Sequence, residues 1–309
     1  MKSKADVIEN RAVRIRSRAM DYAELMKPEL TLLSVLTTLS GVWLGTRGAL
    51  DVRLMFAAAI GTLLVGGGAG ALNQWMERGY DAEMKRTERR PLPSGRIRPG
   101  DALAFGLGIS IAGVALVTFF INPLTGCLAV ATLATYLLLY TPMKRLTKFN
   151  TILGGIPGAL PAMAGWTAVR NDVGPEAWIL FAILFFWQMP HFFSLAWMYR
   201  KDYARAGYRM MTFGDESGAR TGRYIVWFCA ALIPASIAPT MIGLAGYLYL
   251  GAAMLGGAAF MLYGLLFAEA SSTFGVDAIL RTNRYARKLF FASLLYLPFL
   301  MILMAIDKT

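Results

Sequence analysis

Residues 54–90 read LMFAAAIGTLLVGGGAGALNQWMERGYDAEMKRTERR, and the composition changes sharply at residue 73. The 19 residues of 54–72 carry no charge and are long enough to cross a bilayer as a helix. The residues of 73–90 are instead crowded with carboxylates and cations. This stretch therefore predicts a membrane-spanning helix that ends in a charged cluster.

The whole chain repeats the apolar part of this pattern. Its 309 residues are 56% hydrophobic and 16% charged, whereas a typical soluble domain is about 25% charged. Because backbone groups in lipid must be bonded internally, and the apolar segments lack the alternation of barrel strands, we predict an all-α polytopic membrane protein. About nine transmembrane helices are expected around a central cavity that opens to the cytoplasmic side. The predicted spans are residues 30–46, 54–72, 102–120, 123–140, 152–169, 177–198, 224–242, 246–268 and 289–306.

The net charge of +12 is explained by membrane topology and does not require a nucleic-acid partner. Of the 31 Lys and Arg residues, only Arg47, Arg53, Arg170 and Lys308 fall on one side of a nine-span arrangement. The positive-inside rule then puts the N-terminus in the cytoplasm and the C-terminus outside, in a multi-pass protein of the cell membrane. Residues 1–29 are too charged for a cleavable signal peptide. We expect a cytoplasmic N-terminal arm over 1–29 and one membrane domain over 30–309.

The charged cluster after residue 73 has the composition of a metal and phosphate site. Asn73, Glu77 and Asp81 recur at every fourth position and so lie near one helix face. An amide and two carboxylates form an oxygen-only ligand set that suits Mg²⁺. Cations that grip phosphate oxygens follow at Lys85, Arg86, Arg89, Arg90 and Arg96. The alternative interpretation is an ordinary solvated loop on the positive side of the membrane.

Two further polar segments interrupt the apolar spans. In YTPMKRLTKFNTILGGIPGALPAMAGW, residues 140–166, Lys144 and Arg145 follow the end of a span, and two prolines are expected to bend the next helix. In WQMPHFFSLAWMYRKDYARAGYRMM, residues 187–211, the single histidine, His191, lies inside a span one turn after Gln188. Asp202 shares the face of His191 if the helix continues that far. An ionisable residue inside a span is a functional candidate, although a lone histidine also serves to bond neighbouring helices.

A site assembled from these segments would open to the cytoplasm for a charged diphosphate and extend into the membrane for an apolar tail. This outline favours an intramembrane prenyltransferase. A transporter also has buried polar residues and interrupted helices, and a purely structural membrane subunit is the remaining alternative. Against a transporter, the polar residues cluster at one membrane face and no matching halves are detected.

These motifs resemble the UbiA superfamily of intramembrane prenyltransferases, and within it the branch that acts on protohaem IX. Asn73-x-x-x-Glu77-x-x-x-Asp81 is similar to the first aspartate-rich motif of the family, and RRPLPSGR to the basic stretch that follows it. YTPMKR…NTILGGIPGALP and WQMPHFFSLAW…KDY resemble the branch's signatures at spans 4–5 and 6. The Trp187–Phe192 run is what favours haem over an aromatic or quinone-precursor acceptor, which remains the alternative.

The resemblance implies substrates, a cofactor and roles for individual residues. Farnesyl diphosphate would bind through Mg²⁺ and donate its farnesyl group to the vinyl group of protohaem IX, which gives haem O. The implied metal ligands are Asn73, Glu77, Asp81 and Asp202. The residues implied on the diphosphate side are Arg86, Arg90, Tyr140, Lys144 and Arg145. His191 and Gln188 would contact the haem, and haem A synthase or a terminal oxidase would be the assembly partner in the membrane.

Overall fold

The computed structural model describes residues 18–273 and 275–309, which are predominantly helical. The nine longest helices of this part of the chain are α1 Pro28–Gly45, α2 Val52–Asp81, α3 Pro99–Phe120, α4 Pro123–Leu146, α5 Asn150–Arg170, α6 Pro175–Met198, α7 Ala219–Met241, α8 Tyr247–Ser272 and α9 Val276–Ile306. Each predicted span falls within one of them to within one residue. Eight of them, α2 to α9, are long and apolar enough to cross a membrane. The all-α polytopic class is confirmed, while nine spans and a cytoplasmic opening stay predictions.

The described part of the predicted N-terminal arm packs against the bundle. Residues 18–25 are helical, and Leu25 is fully buried beside Ala71 and Ile97. Arg96 in the loop after α2 donates to the Glu24 carboxylate at 2.9 Å. Residues 1–17 lie outside the described residues, so the boundary between arm and membrane domain stays a prediction.

The helix starts follow local sequence rules. α1, α3, α4 and α6 have proline in the first turn, where the missing N–H costs no hydrogen bond. The Asp51 carboxylate accepts from the backbone N–H groups of Arg53 and Leu54 and thereby caps α2. These signals begin the helices close to where the apolar runs begin.

The outside of the bundle is apolar and much of its polar content is inside. Large side chains such as Ile111, Phe119 and Leu295 are exposed, as expected for a lipid-facing surface. In contrast, Asn73 and Asn150 have no exposed surface. A membrane protein with polar groups in its interior needs internal partners for them, and those partners define the site described below.

A close crossing of α1 and α5 fixes one wall of the bundle. A Cβ added to Gly165 would lie 1.9 Å from the Thr38 carbonyl oxygen, and one added to Gly41 would lie 2.3 Å from the Ala162 carbonyl oxygen. The Thr38 hydroxyl also donates to the Pro161 carbonyl at 3.0 Å. Small residues that let backbones approach are a common device of membrane helix pairs.

A turn of π-helix interrupts α4 at Thr135–Tyr140. The Thr141 N–H donates to the carbonyl of Tyr136, five residues back, and Pro142 has no N–H to offer. Widened turns of this kind occur often at functional sites. Here the turn contains Tyr136 and Tyr140, which both line the central cavity.

Gly165→Ala should destabilise the bundle by about 1–3 kcal/mol, because the added methyl group overlaps the α1 backbone. Thermal unfolding in detergent measures the change. Gly108→Ala is the matched control, since a Cβ at that helical position meets nothing within 4 Å. Equal unfolding temperatures for the two variants would contradict the close crossing.

Candidate active site

A cavity of about 850 Å³ runs through the helix bundle. Charged side chains line part of it, and we group six of them that include the two ion pairs: Lys27, Glu77, Asp81, Arg86, Arg90 and Lys144. We call this part the polar end. Apolar side chains line much of the remainder, among them Val65, Val117, Ala129, Leu184 and Leu297. The cavity therefore suits a ligand with a charged head and a long apolar tail.

Two buried ion pairs organise the polar end. The Lys144 ammonium donates to both Glu77 carboxylate oxygens, at 2.7 and 2.9 Å. The Arg90 guanidinium donates to Asp81 at 2.8 Å, and the Asp81 side chain is only 1% exposed. Glu77 and Asp81 are one turn apart on α2, so the predicted helical spacing does bring both carboxylates to the cavity. A buried carboxylate without such a partner would be strongly unfavourable.

Lys27 is a third cation at the polar end, and no motif spacing singles it out. Its ammonium donates to the Asn73 side-chain carbonyl, while the Asn73 amide donates to the Thr141 hydroxyl at 2.9 Å. Burial, followed by the positive charges of Arg90 and Lys144, lowers the pKa of Lys27 to about 7. Asn73 itself is buried behind the cavity wall, so its contribution to a metal site stays a prediction.

Tyrosine rings surround these cations. Lys144 lies 4.7 Å from the ring centroid of Tyr140, and Arg86 lies 5.5 and 5.7 Å from those of Tyr199 and Tyr203. Such contacts hold a cation in place without neutralising it. Burial, and then the charge of Glu77, raise the pKa of Tyr208 well above its ordinary value. Its buried hydroxyl lies beside the Glu77 carboxylate and is a neutral donor at the cavity wall.

Arg145 does not line the cavity. It is exposed, donates to the Tyr80 hydroxyl and stacks over the Tyr80 ring at 4.3 Å. Its predicted role on the diphosphate side is not tested by this placement and stays a prediction.

Asp202 also lies away from the cavity, beside a smaller pocket. The predicted common face with His191 requires an unbroken helix, and α6 does continue through Pro190 but ends at Met198. Tyr199 then leaves the helical conformation, with φ −104° and ψ 17°. Because the chain turns there, helical spacing cannot be extrapolated to Asp202, and its role as a metal ligand stays a prediction.

His191 lines the cavity beside the aromatic rings of Trp187, Phe192 and Phe290. Its ring stacks with those of Trp187 and Phe290, whose centroids are 5.3 and 4.7 Å away. The Nδ1 atom is 2.7 Å from the Ser293 hydroxyl, which itself donates to the Phe290 carbonyl. A serine has one hydroxyl proton, and when Ser293 donates it to the Phe290 carbonyl, Nδ1–H of His191 is the donor to Ser293. The neutral imidazole then carries its lone pair on Nε2.

Gln188 lies one turn before His191 and joins α6 to α5. Its amide donates to the Gly155 carbonyl at 2.8 Å, and a Cβ at Gly158 would come within 2.3 Å of its side-chain oxygen. Both Gln188 and His191 line the cavity, so the structure brings this predicted pair together.

The polar end fits a magnesium ion better than a softer metal. Its donors are carboxylate oxygens, and Mg²⁺ needs only one or two carboxylates when substrate phosphates and water complete its shell. No group of three or more His, Cys, Asp or Glu able to hold a metal occurs within residues 18–273 and 275–309. The chain therefore supplies part of a coordination shell, and a diphosphate would have to supply the rest.

Comparison with known sequences gives consistent matches. A family model described as the UbiA prenyltransferase family matches residues 34–295. A relative from Solibacter usitatus named protoheme IX farnesyltransferase is 43% identical over 93% of this chain and 98% of its own length. A relative of the same name from Salinibacter ruber is 41% identical, with coverage of 93% and 98%.

Solved structures agree in fold. A digeranylgeranylglyceryl phosphate synthase covers 94% of this chain and 98% of its own, with a TM-score of 0.77 and 16% identity. A UbiA homologue from Archaeoglobus fulgidus, bound to GPP and Mg²⁺, covers 92% of this chain and 99% of its own, with a TM-score of 0.65 and 14% identity. At these identities the likeness concerns the fold alone.

A double-mutant cycle should show that Glu77 and Lys144 stabilise each other. Glu77→Gln or Lys144→Met alone should lower the free energy of unfolding by about 3 kcal/mol, because the partner is left buried and unpaired. The double variant should lose clearly less than the sum. Glu24→Gln, at an exposed partner of Arg96, should cost about 1 kcal/mol or less. Strict additivity at Glu77 and Lys144 would show that the two groups do not interact.

Proposed function

The chain belongs to the UbiA prenyltransferase family, and within that family we propose that it transfers the farnesyl group of farnesyl diphosphate to a vinyl group of protohaem IX. The products are haem O and diphosphate. The observation that carries the proposal is the near-full-length similarity to relatives named for this reaction. Membership of a prenyltransferase family removes the transporter and the structural subunit as alternatives.

The cavity supports this proposal by its division into two parts. The diphosphate would bind at the polar end, where Arg86, Arg90 and Lys144 offer charge-assisted hydrogen bonds. The farnesyl tail would lie among the apolar lining residues, where its burial is favourable. Glu77 and Asp81 would hold Mg²⁺, with Asn73 and Asp202 as further proposed donors through water. The bound metal would supply charge stabilisation for the leaving diphosphate.

The reaction requires a diphosphate anion and an allylic cation to form inside the cavity, shielded from bulk water. The C1–O bond of farnesyl diphosphate breaks, and its electron pair leaves with the diphosphate, whose charge the polar-end cations stabilise. The π electrons of the haem vinyl group then bond to C1 of the allylic cation. Water adds to the carbon left positive and loses one proton, which gives the hydroxyethylfarnesyl group. The tyrosine faces of the cavity, including Tyr136 and Tyr140, stabilise positive charge along this path.

His191 would face the haem in this arrangement. When Nδ1–H donates to Ser293, Nε2 is the imidazole nitrogen whose lone pair can bind iron. The ring stacks with both Trp187 and Phe290, and these contacts restrict its orientation before the acceptor arrives. We propose that His191 contacts the haem iron and that Gln188 contacts the same substrate.

The direct test is product formation by purified protein in detergent. Farnesyl diphosphate, Mg²⁺ and haem should give a product with the mass of haem plus one farnesyl and one hydroxyl group, detected by mass spectrometry. A panel of phenolic acceptors should give none. Prenylation of a phenol with no haem product would instead assign the chain to the aromatic-acceptor alternative.

Asp81→Asn should slow diphosphate release from farnesyl diphosphate by at least about 100-fold, because one donor to the proposed metal is lost. Asp101→Asn, an exposed first-turn position of α3, is the matched control and should retain normal rates. Circular dichroism should show that both variants remain helical. Near-normal release by Asp81→Asn would contradict the metal assignment.

Ser293→Ala should alter the haem and spare farnesyl diphosphate, since it removes the group that fixes the His191 tautomer. The Soret band of bound haem should shift, and the KM for haem should rise while that for farnesyl diphosphate stays constant. Ser293→Thr, which keeps a hydroxyl, should restore the wild-type spectrum. Ser236→Ala is the control, because that buried serine bonds Tyr296 and does not line the cavity. An unchanged Soret band in Ser293→Ala would contradict iron contact through an oriented His191.

A further inference from the structure

A second pocket is lined largely by the third polar segment, and apart from Asp202, a proposed metal donor, the mechanism gives its lining residues no role. It has a volume of about 400 Å³ and is formed where α6 ends and α9 passes. Its lining residues are Met198, Tyr199, Arg200, Lys201, Asp202, Asn283 and Arg287. Three of these residues are cations and one is a carboxylate, and Arg205 also lies 3.8 Å from that carboxylate. The pocket suits a ligand with negative charge.

Arg200 is fixed through one of its nitrogens and keeps the other two available for an anion. Its Nη1 donates to the Trp197 carbonyl at 2.8 Å and to the Asn283 side-chain oxygen at 3.3 Å, and its guanidinium stacks over the Trp197 ring at 4.3 Å. Its Nε and Nη2 have no hydrogen-bond partner among the described residues. Within those residues no carboxylate lies within 4.0 Å of it. The planar fork of arginine matches a carboxylate in two-point contact.

The pocket and the cavity around His191 are lined by successive residues of the same two helices, α6 and α9. On α6, Phe192 and Leu195 line the cavity, and Tyr199, four residues on, lines the pocket. On α9, Leu294 and Phe290 line the cavity, and Arg287, one turn nearer the helix start, lines the pocket. The two helices are joined here, because Trp187 donates to the Ser293 carbonyl and Trp197 donates to the Asn283 side chain.

Tyr199 also connects the pocket to the polar end. One of its neighbours is Arg86, whose guanidinium stacks on its ring and lines the cavity. A ligand that fills the pocket would therefore lie one aromatic side chain away from the proposed diphosphate site. An acceptor anchored there could extend towards the carbon that is attacked.

We propose, on the basis of the proposed function, that Arg200 and Arg287, with Asn283 and Lys201 beside them, bind the propionate carboxylates of protohaem IX. In this porphyrin the two propionates and the two vinyl groups occupy opposite edges. Binding the propionates in the pocket directs the vinyl edge into the cavity and leaves the iron level with the His191–Phe290 stack. The pocket thus selects the orientation in which a vinyl group meets the farnesyl carbon.

The test compares equilibrium binding of haem with binding of its dimethyl ester, in which both carboxylates are uncharged. Soret titration of the purified full-length protein should give at least roughly tenfold tighter binding of haem. Arg287→Gln should reduce this preference, and Arg200→Gln combined with Arg287→Gln should bring it close to one. Arg284→Gln, an exposed arginine of the same helix outside the pocket, should keep it. Because both ligands are measured on each variant, incomplete folding cancels in the ratio.

Equal binding of haem and its diester by the wild-type protein would overturn the propionate subsite and leave the proposed reaction intact. A preference unchanged in the Arg200 and Arg287 variants would also overturn it, and would direct the pocket to another anion such as a lipid phosphate. No haem binding at all would overturn the subsite together with the acceptor, whereas diphosphate release would still report the prenyl donor site.

Discussion

The constraint on which the site depends is that carboxylates inside an apolar bundle must be paired. Glu77 and Asp81 project from α2 into the interior. Glu77 pairs with Lys144 of α4, and Asp81 pairs with Arg90 in the loop between α2 and α3. Each pair offsets a desolvation cost that neither member could bear alone. The pairs also join three separate parts of the chain around one cavity. A metal and a diphosphate would replace them partner for partner, since the metal takes the carboxylates and the diphosphate takes the cations.

Much of the fold could be predicted because hydropathy and helical spacing are local properties of a sequence. Apolar runs mark the helices, and the four-residue spacing of Glu77 and Asp81 brings both carboxylates to the cavity. The sequence does not single out Lys27, because one more cation near the N-terminus fits the positive-inside pattern. Its backbone adopts the left-handed conformation, φ 50°, directly before Pro28. Its side chain lies at the polar end of the cavity.

Other parts of the site depend on contacts that spacing cannot reveal. Ser293 is one hydroxyl in an apolar helix, and only its position opposite His191 gives it a role. Asp202 illustrates the converse error, because its predicted helical phase fails where α6 ends. The same turn of the chain brings Tyr199, Arg200 and Asp202 to the second pocket. Helical spacing alone could not predict that pocket.

In this account the resting ion pairs exchange for metal and diphosphate together. Calorimetric titration with Mg²⁺ in the absence and presence of an uncleavable farnesyl thiolodiphosphate measures this coupling most directly. Because Lys144 and Arg90 occupy the carboxylates until an anion draws them away, the analogue should tighten Mg²⁺ binding by at least roughly tenfold, and Mg²⁺ should tighten the analogue by the same factor. Equal Mg²⁺ affinity with and without the analogue would contradict the exchange.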